Sequence, residues 1–559
     1  MAVSTFTPPY QNAYATNPER KLALYYLVTG LIFLLVGVLI GPLQALNYAG
    51  IDVYGYFPFL KSYYQGLSLH GVLNALVFTT YFISGLLIYL PSRELKLRPH
   101  LGFAWFTYWL MNFGVTLAAI AILTNTSSVL YTFYAPLQGS PLFYIGAALL
   151  IVSSLLVALQ TLWMWAGWRD KHKGQLTPIV TYMCVATWCM WILGSAGIVV
   201  ETVVFLIPWS LGWTSGIDPL LTRTLFWWTG HPIVYFWLLP AYVSWYAFIP
   251  KQAGGKMLSE PLTRISFALF LLVSVPVGLH HQYTDPGIST FWKLIQMSLT
   301  FAVALPSMIT AFSVAASLEN AARGQGGKGL VGWVKVLPWK NPSFTAQVLA
   351  MVSFIFGGAG GIVNASFDLN HLVHNTAWIP GHFHITVGTA TTLSFFGISF
   401  WLLPHLTGKP LWNPRLALWS VWTWFVGMMV FAVGMHWEGL LGIPRRAHIS
   451  SLPAEVYADG ARIPMALTGI SGMILLVSAV LYYLVLARTL WGKERNLETA
   501  PAIPFSEILS SAKPVGIQKF IDDVGLLFWI AAALVLAVYL PTLLEIFNHP
   551  NLVPGWKLW

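Results

Sequence analysis

Long apolar runs separated by short polar breaks occur along the chain at about 22–43, 66–90, 101–123, 142–168, 179–206, 220–249, 264–281, 293–317, 345–363, 377–403, 415–437, 464–488 and 522–543. Each approaches or exceeds the roughly 20 residues that a helix needs to cross a bilayer. The runs are continuous and lack the alternating segments of about 10 residues that mark a membrane β-barrel. The pattern therefore predicts an all-α polytopic transmembrane helix bundle of about 13 spans. It forms one integral-membrane domain over residues 1–559, because the longest breaks, 318–344 and 489–519, are too short for a folded domain. The polar leader MAVSTFTPPYQNAYATNPERK is long, and the run after it exceeds a signal-peptide core, so a retained first span is expected.

Composition strengthens this reading. Of 559 residues, 57% are hydrophobic and 9% charged, against about 25% charged in an ordinary soluble domain. Soluble multidomain enzymes, disordered chains and disulfide scaffolds are excluded. Cys184 and Cys189 share one apolar run and form no CxxC pair. The net charge of +10 is explained by topology. With the N-terminus cytoplasmic, 22 of the 29 Lys and Arg fall in inward breaks, leaving Lys61, Arg223, Lys293, Arg445, Arg446, Arg462 and Lys557 outside. That bias satisfies the positive-inside rule, so the partner is a lipid membrane and no nucleic acid is needed.

Fourteen histidines are present, and six of them lie in the runs: His70, His231, His280, His281, His382 and His384. A single such residue is most simply a neutral hydrogen-bond partner. Six on four helices, all in the outer half of the membrane under the assigned topology, point to metal or cofactor ligation. His382 and His384 are two residues apart, about 200° around a helix, so they face opposite sides and can serve two cofactors. His280 and His281 follow Pro276 and Gly278 at a helix end, where irregular backbone can aim both at one ion. With His231 they would make a three-histidine site with an open position. Tyr235, Tyr242 and Tyr246 fall at +4, +11 and +15 from His231 and make one hydroxyl stripe running inward. Thr300, Ser307, Thr310, Ser313 and Ser317 on the eighth span are candidate facing hydroxyls for a proton path, the plainer alternative being interhelical hydrogen bonds.

At these residues the chain resembles subunit I of the haem-copper oxidases, specifically the B-family, ba-type cytochrome c oxidases. The motifs are SLHGVLNALVF, WWTGHPIVYFWLLPAY, PVGLHHQYTDPG and HNTAWIPGHFHITVG, and the resemblance covers essentially the whole chain. It implies that His70 and His384 are the axial ligands of a low-spin haem, of the b type, and that His382 is the proximal ligand of a high-spin haem, of the a type. His231, His280 and His281 would hold copper, with Tyr235 the catalytic tyrosine joined to His231. Phe383 would stand between the two haems. Arg445 and Arg446, in GIPRRAH, and His374 would bind haem propionates, as guanidinium forks suit carboxylates. Tyr242, Tyr246, Ser307 and Thr310 would form the proton path. The implied reaction is reduction of dioxygen to water, coupled to proton pumping. Its electrons come from cytochrome c through a subunit II with a dinuclear copper centre, and the family also uses a small single-span subunit. The implied location is the cell (inner) membrane of a prokaryote.

The chain departs from the A-family pattern, whose glutamate beside the copper histidine is replaced by Ile233, and its eighth span carries no pathway lysine. In NASFDLNHLVHNT, Asn370 stands where the ba-type pattern has an acid, with Asp368 two residues away. Three rivals remain. A nitric oxide reductase would want a carboxylate near His231 for non-haem iron. A quinol oxidase differs only in its donor. A cofactor-free transporter would leave the shared depth of the histidines unexplained.

Overall fold

The computed structural model describes residues 17–453, 460–492, 501–509 and 516–558. Three basic residues assigned to inward breaks, Lys493, Arg495 and Lys513, lie outside the described residues, as does most of the polar leader. Within the described residues all long elements are helices, and β-structure is confined to isolated bridges. Twelve of these helices are long and apolar enough to cross a membrane. In chain order the bundle begins with α1 (Glu19–Tyr48), α2 (Tyr63–Glu94), α3 (Leu101–Leu123), α4 (Pro141–Lys171), α5 (Ile179–Ser210) and α6 (Pro219–Gln252). A shorter helix, α7 (Glu260–Val273), follows. After it come α8 (Thr290–Gly324), α9 (Pro342–Ala365), α10 (Trp378–Thr407), α11 (Pro414–Leu440), α12 (Arg462–Trp491) and α13 (Val524–Asn548).

The apolar run at 264–281 is where the structure differs from the sequence pattern. Its helix stops at Val273, 14 residues long, about 21 Å against a hydrocarbon core of about 30 Å. Pro276 lacks an N–H and disfavours helix in the residue before it. The chain instead passes into a 3₁₀ turn, Leu279–Gln282. The foot of α7 is pinned by Arg264, which is fully buried, bonds Asp522 at 2.9 Å and also pairs with Glu260.

Helix starts are marked by a capping side chain followed by proline. Asp218 accepts hydrogen bonds from the Leu220 and Leu221 amides with Pro219 next in the chain, and Asn341 caps the Ser343 and Phe344 amides before Pro342. Asn413 precedes Pro414 in the same way. These caps satisfy amides that the helix itself leaves open, and proline at the first position loses nothing there. Helices then close on one another through small residues: a Cβ on Gly114 would strike the Gly146 carbonyl, so α3 and α4 touch backbone to backbone.

Candidate active site

His231 sits where α6 is interrupted. Pro232 follows it, and the helix divides into Pro219–Gly230 and Pro232–Ala247. His280 and His281 ride on the 3₁₀ turn after α7. Ligand nitrogens of these three residues all lie within 4.8 Å of one another. Trp227 stacks on His281 with ring centroids 3.9 Å apart. Thr300 donates its hydroxyl to the Gln296 carbonyl at 2.6 Å, so its oxygen can accept from His280 Nδ1 at 3.1 Å. That bond places the His280 proton on Nδ1 and leaves Nε2 as the free donor atom. The Nε2 atoms of His231 and His281 are buried with no hydrogen-bond partner among the described residues, which is rare for buried polar atoms. Three converging imidazoles with open nitrogens fit a late first-row metal such as copper.

A cavity of about 690 Å³ opens from this trio; it is also lined by Tyr235, Tyr242, His382, Phe383, His374 and Arg445. A second cavity, lined by His70, Asn74, Phe383, His384, Arg445 and Arg446, lies on the other side of α10. His382 and His384 thus face different cavities, and Phe383 borders both. In the second cavity the His70 and His384 rings are nearly parallel, 13° apart, with centroids 6.4 Å apart. A metal–imidazole bond is about 2 Å, so an ion held between two rings needs centroids about 6 Å apart. His70 Nδ1 lies 2.8 Å from the Gly37 carbonyl and His384 Nδ1 lies 2.7 Å from the Pro380 carbonyl. Both bonds require Nδ1–H and turn Nε2 towards the space between the rings. These residues fit a bis-imidazole haem.

Arg445, Arg446 and His374 gather where the two cavities approach each other, and Arg445 lines both. Arg445 donates to Asn375 Oδ1 at 3.0 Å. Arg446 stacks over Tyr131 at 4.9 Å, and its Nε and Nη2 have no hydrogen-bond partner among the described residues. Burial, then the neighbouring charges of Arg445 and Arg223, lower the His374 pKa to about 4, so this imidazole is neutral at neutral pH. Burial and the adjacent Arg446 lower the Arg445 pKa to about 10, which leaves it charged. Charged forks with unused N–H groups at a cavity mouth suit carboxylates. Tyr235 lies 4.9 Å from His231 between ring centroids. Further along the stripe, Tyr242 donates to Ser307 at 3.2 Å and Tyr246 to Thr310 at 3.0 Å.

The family described as Cytochrome C and Quinol oxidase polypeptide I matches residues 21–474. The chain belongs to this family. Cytochrome c oxidase subunit 1 of Thermus thermophilus is 52% identical over 553 residues, 98% of each chain. A probable cytochrome c oxidase subunit 1-alpha of Streptomyces coelicolor is 26% identical over 88% of this chain and 85% of its own. Among solved structures, a heme-copper terminal oxidase dimer matches with a TM-score of 0.92 and 34% identity, covering 97% of this chain and 95% of that one. The protein is accordingly a multi-pass membrane subunit I, the catalytic subunit of a terminal oxidase, with haem and copper as its cofactors and a subunit II as partner.

Several residues of this oxidase subunit carry no signal at their own positions. Ser266 on α7 lies 2.9 Å from Thr310 and extends the hydroxyl cluster around Tyr246. Two hydroxyls that the sequence did single out are placed elsewhere: Thr300 serves His280 rather than the tyrosine stripe, and Ser317 accepts from the Leu258 amide. Asn74, one turn after His70, places its amide 3.2 Å from His70 Nδ1. Asn375 and Tyr131, which hold the two arginines, come from separate loops. Lys293, Gln296 and Thr300 form a polar row at helical spacing in an apolar segment, a pattern visible in the sequence.

Proposed function

We propose that this subunit reduces dioxygen to two waters with four electrons from cytochrome c, received through a subunit II that carries a dinuclear copper centre, and couples the reaction to proton translocation. In this reading the N-terminus is cytoplasmic in a prokaryotic cell membrane. The observation that supports it is the division of six histidines between two cavities by one residue, Phe383. His70 and His384 would hold a low-spin haem, of the b type. His382 would hold a high-spin haem, of the a type, and His231, His280 and His281 would hold copper. When bound, these groups would supply electron transfer and the place where dioxygen is taken up.

The chain's own residues do the rest. Backbone carbonyls of Gly37 and Pro380 orient His70 and His384, so these two imidazoles would hold a haem whose part is to pass electrons. Arg445 and Arg446 hold the propionates, with His374 beside them as a neutral hydrogen-bonding group. Tyr235, against His231, gives a proton at the oxygen-reducing site. Tyr242 with Ser307, and Tyr246 with Thr310 and Ser266, would refill it from the inner side, each group passing a proton between its own hydroxyls. Nitric oxide reduction at non-haem iron is disfavoured: the lining of the larger cavity contains no aspartate or glutamate among the described residues.

The test is a dithionite-reduced minus oxidised spectrum of the purified complex, repeated with carbon monoxide, beside copper and iron assays. Two haem environments, of which carbon monoxide shifts one, together with copper in this subunit, support the reading. Haem with non-haem iron and no copper in subunit I overturns it in favour of nitric oxide reduction.

A further inference from the structure

The first part of α8, Thr290–Ala302, is turned inside out for a helix next to solvent. Its three buried residues are Lys293, Gln296 and Thr300. Phe291, Leu294, Ile295 and Phe301 are exposed, with Phe291 at 62%, as suits lipid contact. The buried three are spaced by three and four residues and so share one face. Polar side chains facing inward from a membrane helix are expected to bond across to another element. Here all three reach the same short segment.

Gln296 Oε1 accepts hydrogen bonds from the Gly278 and Leu279 amides, both at 2.7 Å. Thr300 lies against His280 Nδ1. Lys293 Nζ donates to the carbonyls of Tyr283 and Asp285, each at 2.8 Å. The face therefore grips the segment just before its histidines, at one histidine and just after them. A four-residue 3₁₀ turn cannot satisfy the amides that lead into it. Gly278 cannot help with a side chain of its own, because a Cβ there would collide with the Trp227 carbonyl and the Tyr539 hydroxyl. From the other side, Arg223 of α6 bonds Asp285 at 2.8 Å and Thr224 bonds Gln282 at 3.1 Å. The turn is clamped between α6, which carries His231, and α8.

We infer that the Lys293–Gln296–Thr300 face of α8 positions the copper-binding turn, with Gln296 as its principal positioning residue and Thr300 selecting the His280 nitrogen that faces the metal. The inference rests on the assignment of copper to His231, His280 and His281. Gln296 touches neither metal nor substrate; it sets where the His280 and His281 nitrogens stand relative to His231. Its effect is thus on metal retention, separate from proton delivery along the tyrosine stripe.

The experiment compares Gln296→Met, which keeps length and loses the acceptor, with Gln296→Glu, which keeps an acceptor oxygen. Copper retained per haem is measured in the purified complex against graded concentrations of a copper chelator, with the low-spin haem spectrum as the control for assembly. Gln296→Met is expected to weaken copper retention by about 10–100-fold with the low-spin spectrum unchanged, and Gln296→Glu to restore most of it. Retention in Gln296→Met equal to the unsubstituted complex overturns the inference. If Gln296→Met does not assemble, Thr300→Val decides, because it leaves the Gln296 bonds to the turn in place: weakened retention supports the inference, and unchanged retention overturns it. An unsubstituted complex with both haems and no copper in this subunit overturns the copper assignment itself, and the inference with it.

Discussion

The two histidine cavities are built on different principles. In the smaller one, His70 and His384 lie within long transmembrane helices, face each other as near-parallel rings and have each Nδ1 on a carbonyl of the backbone. A π-helical stretch follows each of them, Val72–Phe78 and Thr386–Thr391, a local widening common at functional sites. In the larger cavity, His231 stands at a proline break, His280 and His281 stand on a turn, and two Nε2 atoms have no partner among the described residues. Under the proposed assignment, the contrast separates a saturated site from an open one. A site that only passes electrons needs two opposed ligands on rigid rods. A site that takes in a substrate needs ligands on one side and room on the other, and an irregular backbone supplies that arrangement better than a straight helix.

The contrast can be broken or sharpened experimentally. The largest effect is expected from His280→Ala, which should abolish oxygen uptake beyond the roughly 100-fold typical of losing an outer-sphere partner. Copper should be lost while the low-spin haem spectrum survives; loss of the low-spin signal instead would merge the two sites. Next, His384→Leu should remove the low-spin spectrum and slow turnover with cytochrome c, leaving a carbon monoxide-reactive haem behind. A carbon monoxide difference spectrum on that variant checks it.

Tyr246→Phe cuts the hydroxyl link to Thr310 without touching either cavity's histidines. Turnover is expected to fall by up to about 100-fold, the low end of what a positioned proton-transfer group contributes, with both spectra and the metal content unchanged. Steady-state oxygen uptake at several pH values reads this out.

Glu507→Gln should do least. Its exposed carboxylate pairs with Lys256 at 2.9 Å, and Lys256 and then Lys251 hold its pKa below the ordinary carboxylate value. A depressed carboxylate pKa stabilises the fold above the unfolded value, and that contribution disappears as pH falls through the folded one. A thermal unfolding series should therefore show the variant and its parent converging at acid pH, with little difference near neutrality because solvent screens an exposed pair. Any spectral change in this variant would show that the two cavities are not insulated from the surface that carries Glu507.

Much of this was legible in the chain. The opposed directions of His382 and His384, and the common face of Tyr235, Tyr242 and Tyr246, follow from 3.6 residues per turn and needed no knowledge of neighbouring helices. The interruption at 276–278 was visible as Pro276 and Gly278, yet the run around it still read as a span, because hydropathy counts apolar side chains and not missing amides. Ser266 could not be found at all, since its relevance comes from α7 lying against α8 at Thr310. Thr300 was legible as a hydroxyl on the eighth span, but whether it served Tyr242 or His280 depended on how far out along α8 the turn settles.

The sequence by itself determined the membrane class, the placement of most spans, the charge bias that suggests their orientation, and which side chains share a helix face. Those properties depend on hydrophobicity and on local periodicity, and both are carried by residues near one another in the chain. Only the tertiary structure decided that His70 meets His384, that His231 meets His280 and His281, that Phe383 borders both cavities and that Gln296 supports the turn. Those relations are set by interhelical distances, where a shift of one ångström makes or loses a hydrogen bond, and such distances are fixed by the packing of the whole bundle.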